Sequence, residues 1–214
     1  MYQPPHFREE RLAVQHALIR ARPLGTLVTA GPGGLLANHI PFLLDDPSEA
    51  SPLGRLRGHL ARANGQWRDL DPSREALVIF QGADGYVTPS WYETKRETGK
   101  VVPTWNYAVV HVYGRARAVE DRDWLARQVA ELTALREGGR AEPWGVADAP
   151  APFIAAQLKG IVGVEVEITR TLGKWKVSQN RPEPDRRGVA GGLAAEPGEG
   201  AAALAGLVKE FGGL

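Results

Sequence analysis

The chain has 214 residues, of which 43% are hydrophobic, and its 26 basic and 25 acidic side chains give a formal net charge of +1. A chain of this size buries one sizeable core, and its balanced charge creates no overall field that would attract DNA. The absence of cysteine excludes disulfide frameworks, zinc–thiolate sites and cysteine nucleophiles. With no secretory signal pattern and no apolar run long enough to span a membrane, we expect a cytoplasmic protein.

The N-terminal part of the chain predicts one helix and then a strand pair. In RLAVQHALIRARP, apolar residues recur at helical spacing until Pro23 ends the pattern. Two β-rich runs follow, at residues 25–29 and 35–44, and they flank the sequence AGPGG. Glycines supply the positive backbone angles that a hairpin connection needs, so we expect the two runs to pair.

The next segment predicts a basic strand and a central strand. Arg55, Arg57 and His59 alternate with apolar residues or glycine, which places the three side chains on one face of a short strand. The sequence ARANGQW follows as a corner with donors suited to a phosphate. ALVIFQG is typical of a central strand because five of its residues are apolar in an unbroken run. Residues 83–100 show no period, which predicts a functional or mobile loop.

The C-terminal half predicts two strand regions and two helices. We expect a rigid lead-in over residues 101–107, with its path fixed by Pro103, and then a long strand from Ala108 to Val119 that bends at Gly114. IVGVEVEITRTLGKWKVSQNRP predicts a hairpin. The segment DRDWLARQVAELTALRE predicts a helix capped by Asp121 or Asp123, and after a polar segment the tail predicts a terminal helix with one apolar stripe. The apolar faces of these helices are formed by Leu125, Val129 and Leu132, and by Leu204, Leu207, Val208 and Phe211.

These elements favour an α+β fold with a mainly antiparallel β-barrel, because the strands are not regularly interleaved with helices as a parallel sheet requires. We expect a single domain over residues 1–214, in which residues 182–214 form a C-terminal helical extension with further peripheral helices around the barrel.

Several kinds of catalytic site lack support in the sequence. The histidines show no HExxH or HxH spacing, so we expect no metal site, and neither GxSxG nor GxGxxG is present. Planar and amide side chains instead accumulate beside the strands, and together they suit a flat, anionic ligand. For any single tryptophan, a place in the core or an interface is the alternative. The set comprises Asn38, His39, Trp67, Trp91, Tyr92, Trp105, Asn106, Trp175, Gln179 and Asn180.

Six blocks of the sequence resemble a known family. They are PLGTLVT, ANHIPF, GHLARANGQW, VIFQGADGYVTPSWY, KVVPTWNYAVVHVYGRARAVED and GKWKVSQNRPEPDRRGV. In order, they are similar to the PaiB-type FMN-binding negative transcriptional regulators, and the resemblance runs from Met1 to about Val189. It implies a split β-barrel, related to the folds of pyridoxamine-phosphate oxidase and flavin reductases. It also implies a homodimer that holds FMN at the subunit interface.

The resemblance also suggests roles for particular residues. It places Arg62 and Asn64 at the FMN phosphate, and Trp175, Gln179 and Arg181 at the isoalloxazine. Gly65 departs from the family pattern ANPQW, which loosens this corner. Because Thr104, Trp105 and Asn106 stand just before the long strand, we expect them to present hydrogen-bond donors and an aromatic ring to the flavin. The alternative for Trp105 is that it anchors a dimer interface without contacting the ligand. The full predicted FMN site is Asn38, His39, His59, Arg62, Asn64, Trp67, Thr104, Trp105, Asn106, Trp175, Gln179 and Arg181.

Three functions remain open from the sequence. The first is an FMN-binding negative transcriptional regulator, the second is an FMN-dependent oxidoreductase of the split-barrel type, and the third is a flavin-free interaction protein. No helix-turn-helix is evident, so DNA is a weakly supported candidate partner. Its phosphates would have to be contacted by basic side chains, for which Arg55, Arg57, Arg68, Lys95 and Arg96 are the candidates.

Overall fold

The computed structural model describes residues 1–214 and is built around one eight-stranded sheet. The strands hydrogen-bond in the order β3, β2, β6, β7, β8, β5, β4, and β1 pairs with β8. This arrangement confirms the expected α+β class with an antiparallel sheet. The strands are β1 (Arg8–Glu9), β2 (Leu24–Gly31), β3 (Gly34–Pro41), β4 (Leu43–Asp45), β5 (Arg55–Ala61), β6 (Glu75–Val87), β7 (Thr104–Val119) and β8 (Ile161–Lys176).

Six helices accompany the sheet. Asp121 caps α3 by accepting a hydrogen bond from the Trp124 backbone N–H at 2.7 Å, which selects one of the two predicted caps. The predicted first helix, the helix after the long strand and the terminal helix are all confirmed. The helices are α1 (Leu12–Ala21), α2 (Glu93–Thr98), α3 (Arg122–Glu137), α4 (Ala151–Lys159), α5 (Glu183–Ala195) and α6 (Glu199–Gly212).

The chain divides into two compact units. The first unit comprises residues 1–18, 81–110 and 172–214, and the second comprises residues 19–80 and 111–171. In the first unit, β1 pairs with the end of β8 so that Arg8 lies opposite Lys174. Its core is formed by apolar side chains from the strands and from the two C-terminal helices, namely Val87, Tyr92, Ala108, Val110, Trp175, Val189, Leu204 and Val208.

The second unit contains the predicted hairpin and the basic strand. β2 and β3 pair along their length, and the connection places Gly34 at a φ of +99°, a value that glycine adopts without steric cost. In β5 the apolar and glycine positions are buried while Arg55, Arg57 and His59 lie half-buried on the other face, as the alternation predicted. The core includes Leu27, Phe42, Leu56, Val78, Phe80 and Val164.

The prediction of a loop over residues 83–100 was wrong. Strand β6 continues to Val87, a 3-10 turn covers Pro89–Trp91, and helix α2 follows. The Thr88 hydroxyl accepts a hydrogen bond from the Ser90 backbone N–H at 3.2 Å and so caps the turn. These elements are too short to show a sequence period, because the turn and helix together contain fewer than three helical turns.

The prediction of a hairpin over residues 161–182 was also wrong, because β8 is one continuous strand of 16 residues. Gly173 lies inside the strand. A Cβ atom at this position would come within 2.7 Å of the Glu9 carbonyl oxygen, so glycine is needed there for the close approach of β1.

Two further boundaries differ from the prediction. Strand β7 begins at Thr104, so only residues 101–103 remain of the expected lead-in. The polar segment that was expected to precede the terminal helix is itself helical: it forms helix α5 within the expected C-terminal extension, and this helix starts after Pro182 and carries Glu183 and Asp185 in its first turn. Both acidic residues are favourable at a helix N-terminus.

Candidate functional site

A cavity of about 140 Å³ lies in the first unit and is named here the Lys176 cavity. One wall is formed by the start of β7 and the residues before it, and another by the end of β8 and the turn that follows. Phe7 and Tyr92 complete the lining. The lining residues are Phe7, Tyr92, Val102, Pro103, Thr104, Asn106, Lys176, Ser178, Asn180 and Arg181.

Strand alternation explains how these side chains converge. Thr104 and Asn106 are two residues apart on β7 and therefore point to the same face, whereas Trp105 between them points to the opposite face. Lys176 ends β8, and Ser178 follows two residues later. A tight turn then brings Arg181 back, because its backbone N–H donates to the Ser178 carbonyl at 2.9 Å.

The cavity is positively charged, and none of the side chains that line it is a carboxylate. The Lys176 ammonium donates to the Thr104 hydroxyl at 2.5 Å and to the Trp105 carbonyl. Burial first, and then the positive charges of Lys174 and Arg181, lower the pKa of Lys176 below its ordinary value. None of the ion pairs in the structure involves any of these three cations. Such a cluster favours an electron-rich or anionic ligand group.

Two buried polar atoms in the lining lack a partner. Asn106 is only 1% exposed, and its Nδ2 atom donates to the Ser178 hydroxyl at 2.9 Å, but its Oδ1 atom accepts no hydrogen bond. The Tyr92 hydroxyl is likewise buried and makes no hydrogen bond of good geometry, although the Arg181 guanidinium lies close enough to act on its pKa. An unpaired buried polar atom costs about 1–3 kcal/mol, so both atoms have unused capacity for a ligand.

Backbone strain and ring stacking hold the wall opposite β7 in place. Ser178 adopts a φ of +69°, the only positive φ of a non-glycine residue in the structure. Such strain persists where surrounding contacts enforce it, and it is often found at ligand sites. The Arg181 guanidinium stacks over the Tyr92 ring at 4.5 Å, and burial raises the pKa of the Tyr92 hydroxyl.

Three of the predicted FMN residues therefore meet in this cavity, namely Thr104, Asn106 and Arg181. The prediction omitted Lys176 and Ser178. Their signal in the sequence was the alternation in KWKVSQN, which places both on the same side as the chain leaves β8.

Three other predicted residues of the first unit do not line the cavity. Trp175 is buried and stacks on Phe211 with ring centroids 5.7 Å apart. Gln179 hydrogen-bonds to the backbone at Trp175 and Val177, and so shapes the turn before Arg181. Trp105 is 52% exposed and donates through Nε1 to Asp84 at 2.8 Å.

The predicted phosphate corner lies in the second unit. The Arg62 guanidinium donates to the Glu120 carboxylate at 2.6 Å and to the carbonyls of Lys159 and Ile161 at 3.0 and 3.2 Å. The Asn64 side chain caps the 3-10 turn Gly65–Asp69, which therefore forms without the proline of the family pattern. A phosphate at this corner would have to compete with the Glu120 carboxylate for Arg62.

The remaining predicted residues also belong to the second unit. The Trp67 indole donates to the Arg62 carbonyl at 3.0 Å. Asn38 donates to the buried Gln66 at 2.9 Å, and His59 shares a 2.8 Å hydrogen bond with Gln128. His39 is exposed on β3. Apart from His39, these side chains hydrogen-bond within the unit, so their contact with FMN stays a prediction.

Comparison with known proteins identifies the family. One family model, described as "Putative FMN-binding domain", matches residues 1–170. An uncharacterised protein of Emericella nidulans is 36% identical, with 99% of this chain and 98% of the relative covered. The protease synthase and sporulation protein PAI 2 of Bacillus subtilis is 32% identical, with 98% of this chain and 97% of the relative covered. The second relative agrees with the family resemblance that the sequence predicted.

Solved structures with low sequence identity share the fold. Rv2991 from Mycobacterium tuberculosis superimposes with a TM-score of 0.58 at 16% identity, covering 86% of this chain and 95% of that chain. The flavocytochrome Anf3 from Azotobacter vinelandii gives a TM-score of 0.56 at 15% identity, covering 79% of this chain and 69% of that chain. These likenesses confirm the predicted split-barrel fold. No helix of the structure is long and apolar enough to cross a membrane.

Because the family model covers well over half of the chain and two relatives match nearly its whole length, the chain belongs to the FMN-binding domain family, which confirms FMN as the predicted cofactor.

Proposed function

We propose that the Lys176 cavity receives the pyrimidine edge of the FMN isoalloxazine. The observation that carries this proposal is the pairing of an unused acceptor, Asn106 Oδ1, with two cations in one cavity, Lys176 and Arg181, neither of which forms an ion pair. The pyrimidine edge presents an N–H between two carbonyl groups. The amide oxygen matches the N–H, and the cations match the carbonyl oxygens.

The volume of the cavity is large enough for one edge of FMN but too small for the whole ligand. Pockets that enclose drug-sized ligands have volumes of about 300–1,000 Å³, whereas the Lys176 cavity has about 140 Å³. A single ring with its carbonyl groups fits this space, and the ribityl phosphate would lie outside it. When bound, FMN supplies electron-transfer chemistry, while the protein orients the ring and sets its electrostatic surroundings.

Titration of FMN and riboflavin tests this proposal, because riboflavin has the ring but lacks the phosphate. Lys176→Met and Arg181→Met remove charge-assisted contacts worth about 1.5–3 kcal/mol, so each should weaken both ligands about ten- to a hundredfold. Lys209→Met is the charge-matched control, since Lys209 is exposed on α6 and lies outside the cavity. Unchanged riboflavin affinity in both cavity variants would refute the proposal.

The same titration separates the ring from the phosphate. If Arg62 holds the phosphate, as the family resemblance suggests, Arg62→Ala weakens FMN but leaves riboflavin binding unchanged. Arg62 also binds Glu120 and two carbonyls, so the substitution should lower the stability of the ligand-free protein as well. Equal FMN affinity of the wild type and Arg62→Ala would remove this role.

At the level of cellular function, we propose an FMN-binding negative transcriptional regulator. The support is the full-length similarity to PAI 2, whose name refers to protease synthesis and sporulation. Arg55 and Arg57, two candidates for DNA contact, are engaged by acidic side chains, which leaves little of the basic β5 face for phosphates. Any direct DNA binding should therefore be weak and steeply salt-dependent. A sequence-selective complex that persists at high salt would contradict this expectation.

A further inference from the structure

We infer that the Lys176 cavity favours reduced over oxidised FMN, so that the affinity of this protein for its cofactor depends on the redox state. This inference rests on the proposed placement of the pyrimidine edge in the cavity. It adds a direction of regulation to that placement, namely tighter binding under reducing conditions and release under oxidising conditions.

The cavity differs from the basic face of β5 in that its cations form no ion pair. In the second unit, Arg57 binds both Asp45 and Glu131, and the buried Glu165 binds both Arg55 and Arg117. Around Lys176, by contrast, the neighbouring charges that act on the ammonium are the cations Lys174 and Arg181. The apo cavity therefore holds positive charge that a negatively charged ligand group would stabilise.

Reduction of the flavin provides such a group. Two electrons and one proton convert oxidised FMN into a reduced form that carries negative charge on its pyrimidine ring. Dithionite supplies the electrons while water supplies the proton, and a dihydronicotinamide supplies both together as hydride. A cation a few ångströms away favours the charged form over the neutral one, and the effect is larger in a partly buried site than in water. Charge beside this part of the ring is a recognised means by which proteins tune flavins.

Lys176 is suited to respond to this change. Burial and its cationic neighbours work against its protonated form. A negative charge in the cavity has the opposite effect, so reduction of the flavin should strengthen protonation of Lys176 and the contact together. Asn106 provides the contrast, because a neutral amide oxygen that accepts from the ring N–H interacts similarly with both redox states.

The test measures the dissociation constant of FMN aerobically and, under anaerobic conditions with dithionite, the dissociation constant of the reduced cofactor. The two-electron midpoint potential of the bound flavin is measured in parallel. We expect at least tenfold tighter binding of the reduced form by the wild type, which corresponds to a midpoint potential about 30 mV more positive than that of free FMN. This comparison uses the wild-type protein and does not depend on the folding of any variant.

Variants then assign the effect to residues. Lys176→Met and Arg181→Met should each lose most of the preference for the reduced form, whereas Asn106→Ala should weaken both redox forms by a similar factor. A wild-type potential equal to or below that of free FMN would overturn the inference. So would cavity variants that weaken both forms equally, although in that case the placement of the ring in the cavity would stand. Cavity variants that bind FMN and riboflavin like the wild type would refute the placement itself, and the inference with it.

Discussion

Glu9 shows how a single buried carboxylate is stabilised by its neighbour. It is 6% exposed, and Arg11 donates to it from the backbone N–H at 2.8 Å and from the guanidinium at 2.9 and 2.5 Å. The side-chain hydrogen bond from Arg11 is the main reason that the pKa of Glu9 lies below its ordinary value. Because the folded-state pKa is lowered, this carboxylate stabilises the fold above its unfolded pKa of about 4.3 and loses that effect as the pH falls through the folded pKa.

Replacement of Glu9 should therefore change how stability depends on pH. Glu9→Gln should lower the free energy of unfolding at pH 7, and between about pH 5 and pH 3 it should make the decline in stability shallower than in the wild type. Urea unfolding at a series of pH values measures both effects. Glu10→Gln is the matched control, because the Glu10 side chain is 77% exposed and its 3.4 Å ion pair with Arg8 is therefore expected to contribute little to stability. Parallel pH profiles for the wild type and Glu9→Gln would contradict this account.

Residue identity predicted part of the candidate site. Thr104 and Asn106 were predicted as flavin candidates from their position before the long strand and Arg181 from the family resemblance, and the structure brings these three into one cavity. Lys176 was missed because its importance depends on the absence of a nearby carboxylate, which only the folded arrangement reveals. Arg62, chosen for its basic side chain, has a carboxylate partner 58 positions away in the sequence.

At the scale of elements, two glycines inside strands show what a single sequence leaves open. Gly173 belongs to the segment that was predicted as a hairpin, but it lies inside the continuous strand β8, where β1 approaches closely. Gly114 suggested a bend in β7, and there a Cβ atom would collide with the Glu167 carbonyl. A glycine required for close packing and a glycine required for a turn look the same in one sequence, because only the position of the neighbouring chain distinguishes them.

Helix α5 offers a direct test of the packing requirement, since it contains one glycine that a neighbouring chain segment approaches closely and one that has no neighbour. A Cβ atom at Gly188 would collide with the backbone carbonyl of Trp91, whereas nothing lies within 4 Å of a Cβ atom at Gly191. Gly188→Ala should therefore lower the free energy of unfolding by about 1–3 kcal/mol. Gly191→Ala should raise it by about 0.5–1 kcal/mol, because alanine is the better helix former. Chemical denaturation measures the free energy of unfolding of both variants. If the two substitutions destabilise the protein equally, the contact with Trp91 does not explain the effect of Gly188→Ala.

At the scale of the whole molecule, the fold was the most predictable feature. Ordered blocks along nearly the entire chain resembled one family, and a fold is specified by many such blocks together, so wrong boundaries in two of them left the α+β split barrel intact. Assembly is harder to predict, because the partner surface depends on which apolar side chains remain uncovered after folding. In this structure one such surface is β3, which forms an end of the strand order and is exposed over residues 34–37.

We expect a homodimer in solution in which β3 contributes to the interface. Leu35 and Leu36, neighbours on β3, are 81% and 40% exposed, and an uncovered apolar edge of this kind is one that soluble monomers usually avoid. Sedimentation at micromolar concentration should give twice the chain mass of 23.2 kDa. Leu35→Lys should shift the protein towards the single-chain mass while the circular dichroism spectrum stays unchanged, because a buried lysine at the interface lacks a counter-charge.

Leu135→Lys provides the matched control for the dimer, since Leu135 is 58% exposed on α3 and lies outside β3. It introduces the same charge on a helix and should leave the sedimentation behaviour of the wild type unchanged. If Leu135→Lys separates the subunits and Leu35→Lys does not, the interface lies on the helical side of the second unit and β3 is not part of it. A single-chain mass for the wild type would exclude the dimer, and the FMN affinity measured for that sample would then belong to the monomer.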